Sequence, residues 1–173
     1  MIIIANIMEN TNINYPILKD NDLYYLKHSF DKSSDKAGWV FLDYRNNFTT
    51  TSNDYNTILY AHNMKNKLMF GSLKTLLTKE WLNNPSNHVI KISTETENTL
   101  WQVFSVYHIK TTTDYLKINF KNDTEFNNFT KMLINRSKHN FNTKINNNDK
   151  ILTLSTCYTK NERLVVHAKL IQV

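Results

Sequence analysis

A mainly β domain, a sandwich or barrel with helices at its periphery, is the fold class this sequence predicts, and three observations predict it. Short runs rich in β-branched and aromatic residues recur between polar turns, at residues 13–18, 39–44, 57–61, 88–93, 100–109, 151–156 and 164–173; such runs suit the half-buried surface of a strand. No Pro, Gly or Ser-rich linker and no repeat divides the 173 residues, a length that fits one domain. With 40% hydrophobic residues, a chain of this size buries roughly 70% of its unfolded surface and needs no disulfide or metal to hold a core.

Residues 1–8, Met-Ile-Ile-Ile-Ala-Asn-Ile-Met, are apolar but lack the basic flank and cleavage site of a signal peptide and are too short to span a bilayer. Residues 1–10 are read as the stump of a longer chain, within a single domain over 1–173. Run 13–18 is the first strand candidate. Leu23, Leu26 and Phe30 suit a helical turn or two before the runs 39–44 and 57–61. Leu73, Leu76, Leu77 and Trp81 share one helical face, after which 88–93 and 100–109 return to β. Residues 115–120 are a candidate eighth strand. Phe126, Phe129 and Leu133 have helical spacing, opened by Asn122 with Glu125 three residues on, the pattern of a capping box. The last two β-runs, 151–156 and 164–173, complete the chain.

Charge narrows the function classes. Lys and Arg number 21 against 15 Asp and Glu, a net +6, which attracts polyanions. The positive residues are mostly evenly spread Lys, with Arg only at 45, 136 and 163, unlike the clustered patch of a nucleic-acid binder. A solvated surface is the simpler reading. The sequons at Asn47, Asn122, Asn128 and Asn135 follow from the abundance of Asn and Thr. One Cys excludes four-Cys zinc sites and Cys-x-x-Cys redox chemistry.

That residue, Cys157, ends a β-run among polar neighbours, Ser155, Thr156, Tyr158, Thr159 and Lys160. It is either a buried small hydrophobe or a nucleophile, and a nucleophile needs a proton-handling partner and an oxyanion donor. Among six His, His28, His88 and His139 read as surface residues, while His108 and His167 lie within strands. His62 closes the run 57–61 and opens a polar segment, mirroring Cys157. Arg163 begins the last β-run six residues after Cys157, within reach of a hairpin, and a guanidinium offers planar donors without competing as an acid. These residues make a candidate site; a papain-type hydrolase, with its Cys before its His, and a non-enzymatic basic module that binds wall polymer are the alternatives.

Three segments, Thr153-Leu-Ser-Thr-Cys157, Arg163-Leu-Val-Val-His-Ala-Lys169 and Tyr60-Ala-His-Asn-Met64, together resemble the sortase signature. Asn12-Ile-Asn-Tyr-Pro16, Asp22-Leu-Tyr-Tyr-Leu-Lys-His28, Phe41-Leu-Asp-Tyr-Arg-Asn46 and Met69-Phe-Gly-Ser-Leu73 are similar to class B members, from about Thr11 to the end. The resemblance implies a closed eight-stranded barrel with a long helix, residues 122–138, between strands six and seven. It implies a cysteine transpeptidase at the outer face of a Gram-positive membrane, held by an N-terminal anchor. Such an enzyme cuts a sorting motif of Asn-Pro-x-Thr or Pro-Pro-x-Thr-Gly type after Thr and passes the protein to an amine of peptidoglycan or its lipid-linked precursor.

Cys157 is then the nucleophile, His62 the acid and base, and Arg163 the donor to oxyanion or substrate backbone. Ser155, Tyr60 and Leu26 match positions lining the family's peptide groove. Tyr158 stands where class B members often have an acid, and the loop before Arg163 is short. No metal, cofactor or nucleic acid is implied, and a monomer is expected.

Overall fold

In the computed structural model, which describes residues 2–21, 23–47 and 53–173, eight strands close into a barrel. They are β1 (Ile2–Met8), β2 (Asn14–Leu18), β3 (Phe41–Leu42), β4 (Asn56–Tyr60), β5 (Val89–Ser93), β6 (Asn98–Lys110), β7 (Ile151–Thr159) and β8 (Glu162–Gln172). Around the barrel they run β1-β2-β3-β4-β7-β8-β6-β5. Antiparallel pairing of β5 with β1 closes the ring, which leaves no sheet edge to template association. Met1, Asp22 and Thr49 of the Asn47 sequon lie outside the described residues.

The eighth strand is not the one expected. Residues 115–120 form a 3₁₀ turn, Asp114–Leu116, and irregular chain, because Asn56 Nδ2 binds the carbonyls of Tyr115 and Lys117 and draws this segment across the barrel face instead of into its ladder. Residues 1–10 include β1, paired on both sides. Run 39–44 shortens to two strand residues, since Asp43 turns away to bind Arg45. The spacing at 73–81 produces a 3₁₀ helix, Gly71–Leu77, and a four-residue helix α1 (Lys79–Leu82) capped by Thr78.

Strand alternation sorts the core. Leu152, Leu154, Leu164, Val166 and Ala168 point inward with Leu59, Val103 and Val106. The intervening Ile151 and Val165 meet Phe104, Tyr107 and Tyr115 under the long helix α2 (Asp123–Arg136). Phe126, Phe129 and Leu133 are buried there, each worth roughly 1.5–3 kcal/mol. Asn122 Oδ1 accepts the amide of Glu125 at 2.9 Å, as the capping pattern predicts, but the Glu125 carboxylate turns to the amide of Lys121.

Two histidines expected at the surface are buried. His88 Nε2 donates to the Leu82 carbonyl at 2.9 Å and His139 Nε2 to that of Leu76 at 2.8 Å; each cross-link satisfies a helix-end carbonyl that would otherwise lack a partner. His28 is half-buried, stacked on Tyr24.

His167 is fully buried between Tyr107 OH at 2.9 Å and Thr153 Oγ1 at 2.8 Å, and burial holds its pKa down to about 3. The unfolded chain therefore takes up a proton that the folded chain refuses, so stability falls as pH drops through the ordinary His value toward 3. From pH 7 to pH 5 the expected loss is about 2 kcal/mol. His88, also lowered by burial, adds with the same sign. The lowered carboxyls of Asp43 and Asp114 begin to contribute only near or below their unfolded values of about 3.9. Urea melts at the two pH values check this: the loss shrinks in His167→Gln, and an equal loss in both proteins would clear His167 as its source.

Candidate active site

Strands β4 and β7 are parallel neighbours, with Tyr60 opposite Ser155. Continuing that register by two residues sets His62 beside Cys157. Two bonds fix the alignment past the ends of the ladder: Thr156 Oγ1 donates to the Ala61 carbonyl at 2.6 Å and Asn63 Nδ2 to the Cys157 carbonyl at 2.7 Å. On the other side of β7, antiparallel β8 pairs Cys157 with Arg163. His62, Cys157 and Arg163 thus form one row across three adjacent strands, whose spacing is about 4.8 Å.

Each member is set for a different task. Cys157 is a free, exposed thiol, so the buried-hydrophobe alternative does not hold. His62 Nε2 lies 2.6 Å from the Leu26 carbonyl; a carbonyl only accepts, so Nε2 carries the proton and Nδ1 is the basic nitrogen of the neutral ring. Arg163 gives Nη1 to the Glu162 carbonyl at 3.3 Å, and its other donors have no partner among the described residues.

The row opens on a cavity of about 340 Å³. Its floor is Tyr60 and Ser155; Leu23, Leu26 and Phe41 form one wall, and Thr111, Thr112, Thr113, Tyr115 and Leu116 supply the other. All six residues singled out in the sequence therefore line one space, Leu26, Tyr60 and Ser155 with the row of three. A model of the family described as the sortase domain matches residues 7–171. The chain belongs to the sortase family. Sortase B of Listeria monocytogenes is 36% identical over 168 residues, 94% of this chain and 66% of that protein's length, so the chain spans just under two thirds of that relative. Among solved structures, sortase B of Bacillus anthracis in complex with AAEK1 superposes with a TM-score of 0.87 at 39% identity, covering 99% of this chain and 79% of that one. The Staphylococcus aureus sortase B–substrate complex gives 0.89 at 30% identity, covering 98% and 80%. The likeness is to class B members.

This sortase holds its cleft with residues that sequence reasoning passed over. Tyr115 OH and Ser155 Oγ are 2.9 Å apart, tying wall to floor. Tyr60 OH donates to Asp43 Oδ2 at 2.9 Å, and Arg45 grips the same carboxylate through Nε at 2.9 Å and Nη2 at 2.8 Å. Burial pushes Asp43 up, but the bonds from Arg45 and Tyr60 outweigh it and leave its pKa below the ordinary value. Burial and the Asp43 charge push the Tyr60 phenol well up, so it stays a donor. Arg45 Nη2 also donates to the Leu116 carbonyl at 3.1 Å, and Arg136 clamps Asp114 at 2.8 and 2.6 Å. Both ends of the 114–116 segment are thereby pinned.

The chain's two glycines sit under the loops that carry the site. Gly38 has φ of +59°, and a Cβ there would meet the Tyr25 carbonyl at 2.3 Å, beside the Leu26 segment that receives His62. Gly71 would press a Cβ to 2.3 Å from the Met64 carbonyl, just beyond His62. Tyr158 stacks on His108 with centroids 4.4 Å apart and is not among the residues that line the cleft. Among the described residues no group of three or more His, Cys, Asp or Glu could hold a metal, and no helix is long and apolar enough to cross a membrane.

Proposed function

We propose that this chain is the catalytic domain of a class B cysteine transpeptidase that cuts a sorting motif of Asn-Pro-x-Thr or Pro-Pro-x-Thr-Gly type after Thr. The observation that carries the reading is the row of His62, Cys157 and Arg163 at the mouth of one cavity. His62 Nδ1 takes the proton of the Cys157 thiol, the thiolate so formed attacks the Thr carbonyl, and the tetrahedral oxyanion is held by the Arg163 fork. Collapse breaks the C–N bond as His62 protonates the leaving amine, which leaves a thioester on Cys157. A cell-wall peptide amine then attacks that thioester, giving its proton to His62, and Cys157 departs as thiolate. Ser155, Tyr60 and Leu26 shape the peptide's path. Tyr60 and Ser155, each locked in a hydrogen bond, present a preformed floor that loses little entropy on binding. The site of action is the outer membrane face, where anchored surface proteins and peptidoglycan or lipid-linked precursor amines meet.

Mass spectrometry of the protein with a panel of sorting-motif peptides, with and without oligoglycine or diaminopimelate amines, tests this. The expected product is amine-dependent and carries the acceptor on the motif's Thr. Cleavage to the free acid alone, at every acceptor, would make the protein a hydrolase. Absence of any Cys157-dependent product would remove the enzymatic reading.

A further inference from the structure

A second cavity, of about 220 Å³, continues the catalytic cleft. It is lined by Leu23, Phe41, Asp43, Tyr44, Arg45 and Tyr60, and it shares Leu23, Phe41 and Tyr60 with the first. Tyr60 on β4 pairs with Ser155 on β7 and with Phe41 on β3, so from Cys157, two residues further along β7, Phe41 lies two strand spacings across and two residues back, about 12 Å away. An extended peptide advances about 3.3 Å per residue, so the three residues N-terminal to the Thr carry a motif of four about 10 Å, up to the edge of Phe41. With the peptide's N-terminal side running from Cys157 toward β3, what precedes the motif in the substrate falls at the second cavity.

The second cavity is built to hold a chain. Arg45 is pinned by its bidentate pair with Asp43 and by Leu116, its side chain is 41% exposed, and its Nη1 has no partner among the described residues. A donor that is already immobilised pays little further entropy when it binds a carbonyl. Tyr44 and Leu23, 55% and 53% exposed, flank it as an apolar ledge. Because Asp43 already balances the Arg45 charge, the fit is to a neutral backbone carbonyl and not to a second anion.

We infer that this cavity is a subsite for the two or three residues immediately N-terminal to the sorting motif, with Arg45 Nη1 on a backbone carbonyl and Tyr44 and Leu23 against side chains. The inference rests on the proposed peptide substrate, and it extends recognition past the motif itself.

Binding to the Cys157→Ala protein tests it without turnover, so its failure is separable from failure of the catalytic reading. Labelled acetyl-Asn-Pro-Ala-Thr-Gly-amide and acetyl-Pro-Pro-Ala-Thr-Gly-amide are compared by fluorescence anisotropy with the same peptides extended at the N-terminus by Glu-Leu-Ser. At least one extended peptide is expected to bind roughly fivefold or more tightly than its short parent. Adding Tyr44→Ala, a change at an exposed side chain, brings that ratio down toward one. Equal affinity of short and extended peptides, a ratio that survives Tyr44→Ala, or no binding of any peptide would each overturn the subsite. The wild-type turnover assay separately decides the catalytic reading.

Discussion

Replacing Cys157 with Ala is expected to remove all turnover and leave the melting temperature where it was. The two halves of this result have separate causes. Catalysis goes because both bond exchanges of the proposed mechanism pass through the sulfur, and no other thiol exists in the chain; water acting in the same cleft has neither the nucleophilicity nor the leaving ability of a thiolate. Stability stays because Cys157 is exposed and its structural contacts are made by its backbone, through the Asn63 bond and the pairing with Arg163. Truncating an exposed side chain away from packing changes stability by about 0.5 kcal/mol or less. Peptide cleavage followed by mass spectrometry, beside a thermal melt, checks both. A melt lowered by many degrees would show a sulfur that holds the fold, and residual cleavage at the wild-type rate would place the nucleophile elsewhere. Iodoacetamide adds a third readout, alkylating the native wild type at Cys157 without denaturant.

How much of this site can be read from residues alone depends on the kind of contact. Arg163 follows Cys157 by six residues, and a hairpin is the only short way back, so their pairing is local and legible. His62 was placed by its likeness to Cys157 at a strand end, but its immediate adjacency rests on parallel pairing of β4 with β7, across about ninety intervening residues. Such pairings carry no local signal. The failure at 115–120 is instructive in the same way. Alternation there is genuine, yet Asn56 captures the backbone carbonyls and tertiary bonding overrides β-propensity. Asp43 falls inside the predicted strand run 39–44 and Arg45 just after it; only the fold brings Tyr60 and Leu116 to them. Similarly, His88 and His139 sit in polar sequence, but the carbonyls that bury them lie at helix ends elsewhere in the chain.

Substitution of Arg163 or His62 by Ala is expected to cost at least roughly 100-fold in kcat/KM each, and the two losses should differ in kind. In the proposed mechanism Arg163 acts on charge that appears only when the carbonyl is attacked. Its removal should therefore leave alkylation of Cys157 by iodoacetamide close to the wild-type rate, because that reaction forms no oxyanion. Arg163→Lys keeps the charge but loses the planar fork, so it should recover only part of the loss. The role proposed for His62 is on the proton of the leaving group. A peptide whose scissile amide is replaced by a thioester expels a group that needs no proton, so acylation of His62→Ala by that substrate should return toward the wild-type rate while Arg163→Ala stays slow. The backbone geometry argues for the same division. His62 Nε2 is committed to the Leu26 carbonyl, so a single nitrogen, Nδ1, must serve both leaving and incoming amines, whereas Arg163 keeps most of its donors for the carbonyl itself. If the thioester substrate rescued Arg163→Ala equally, or failed to rescue His62→Ala at all, the assignment of proton transfer to one and oxyanion binding to the other would have to be exchanged or abandoned.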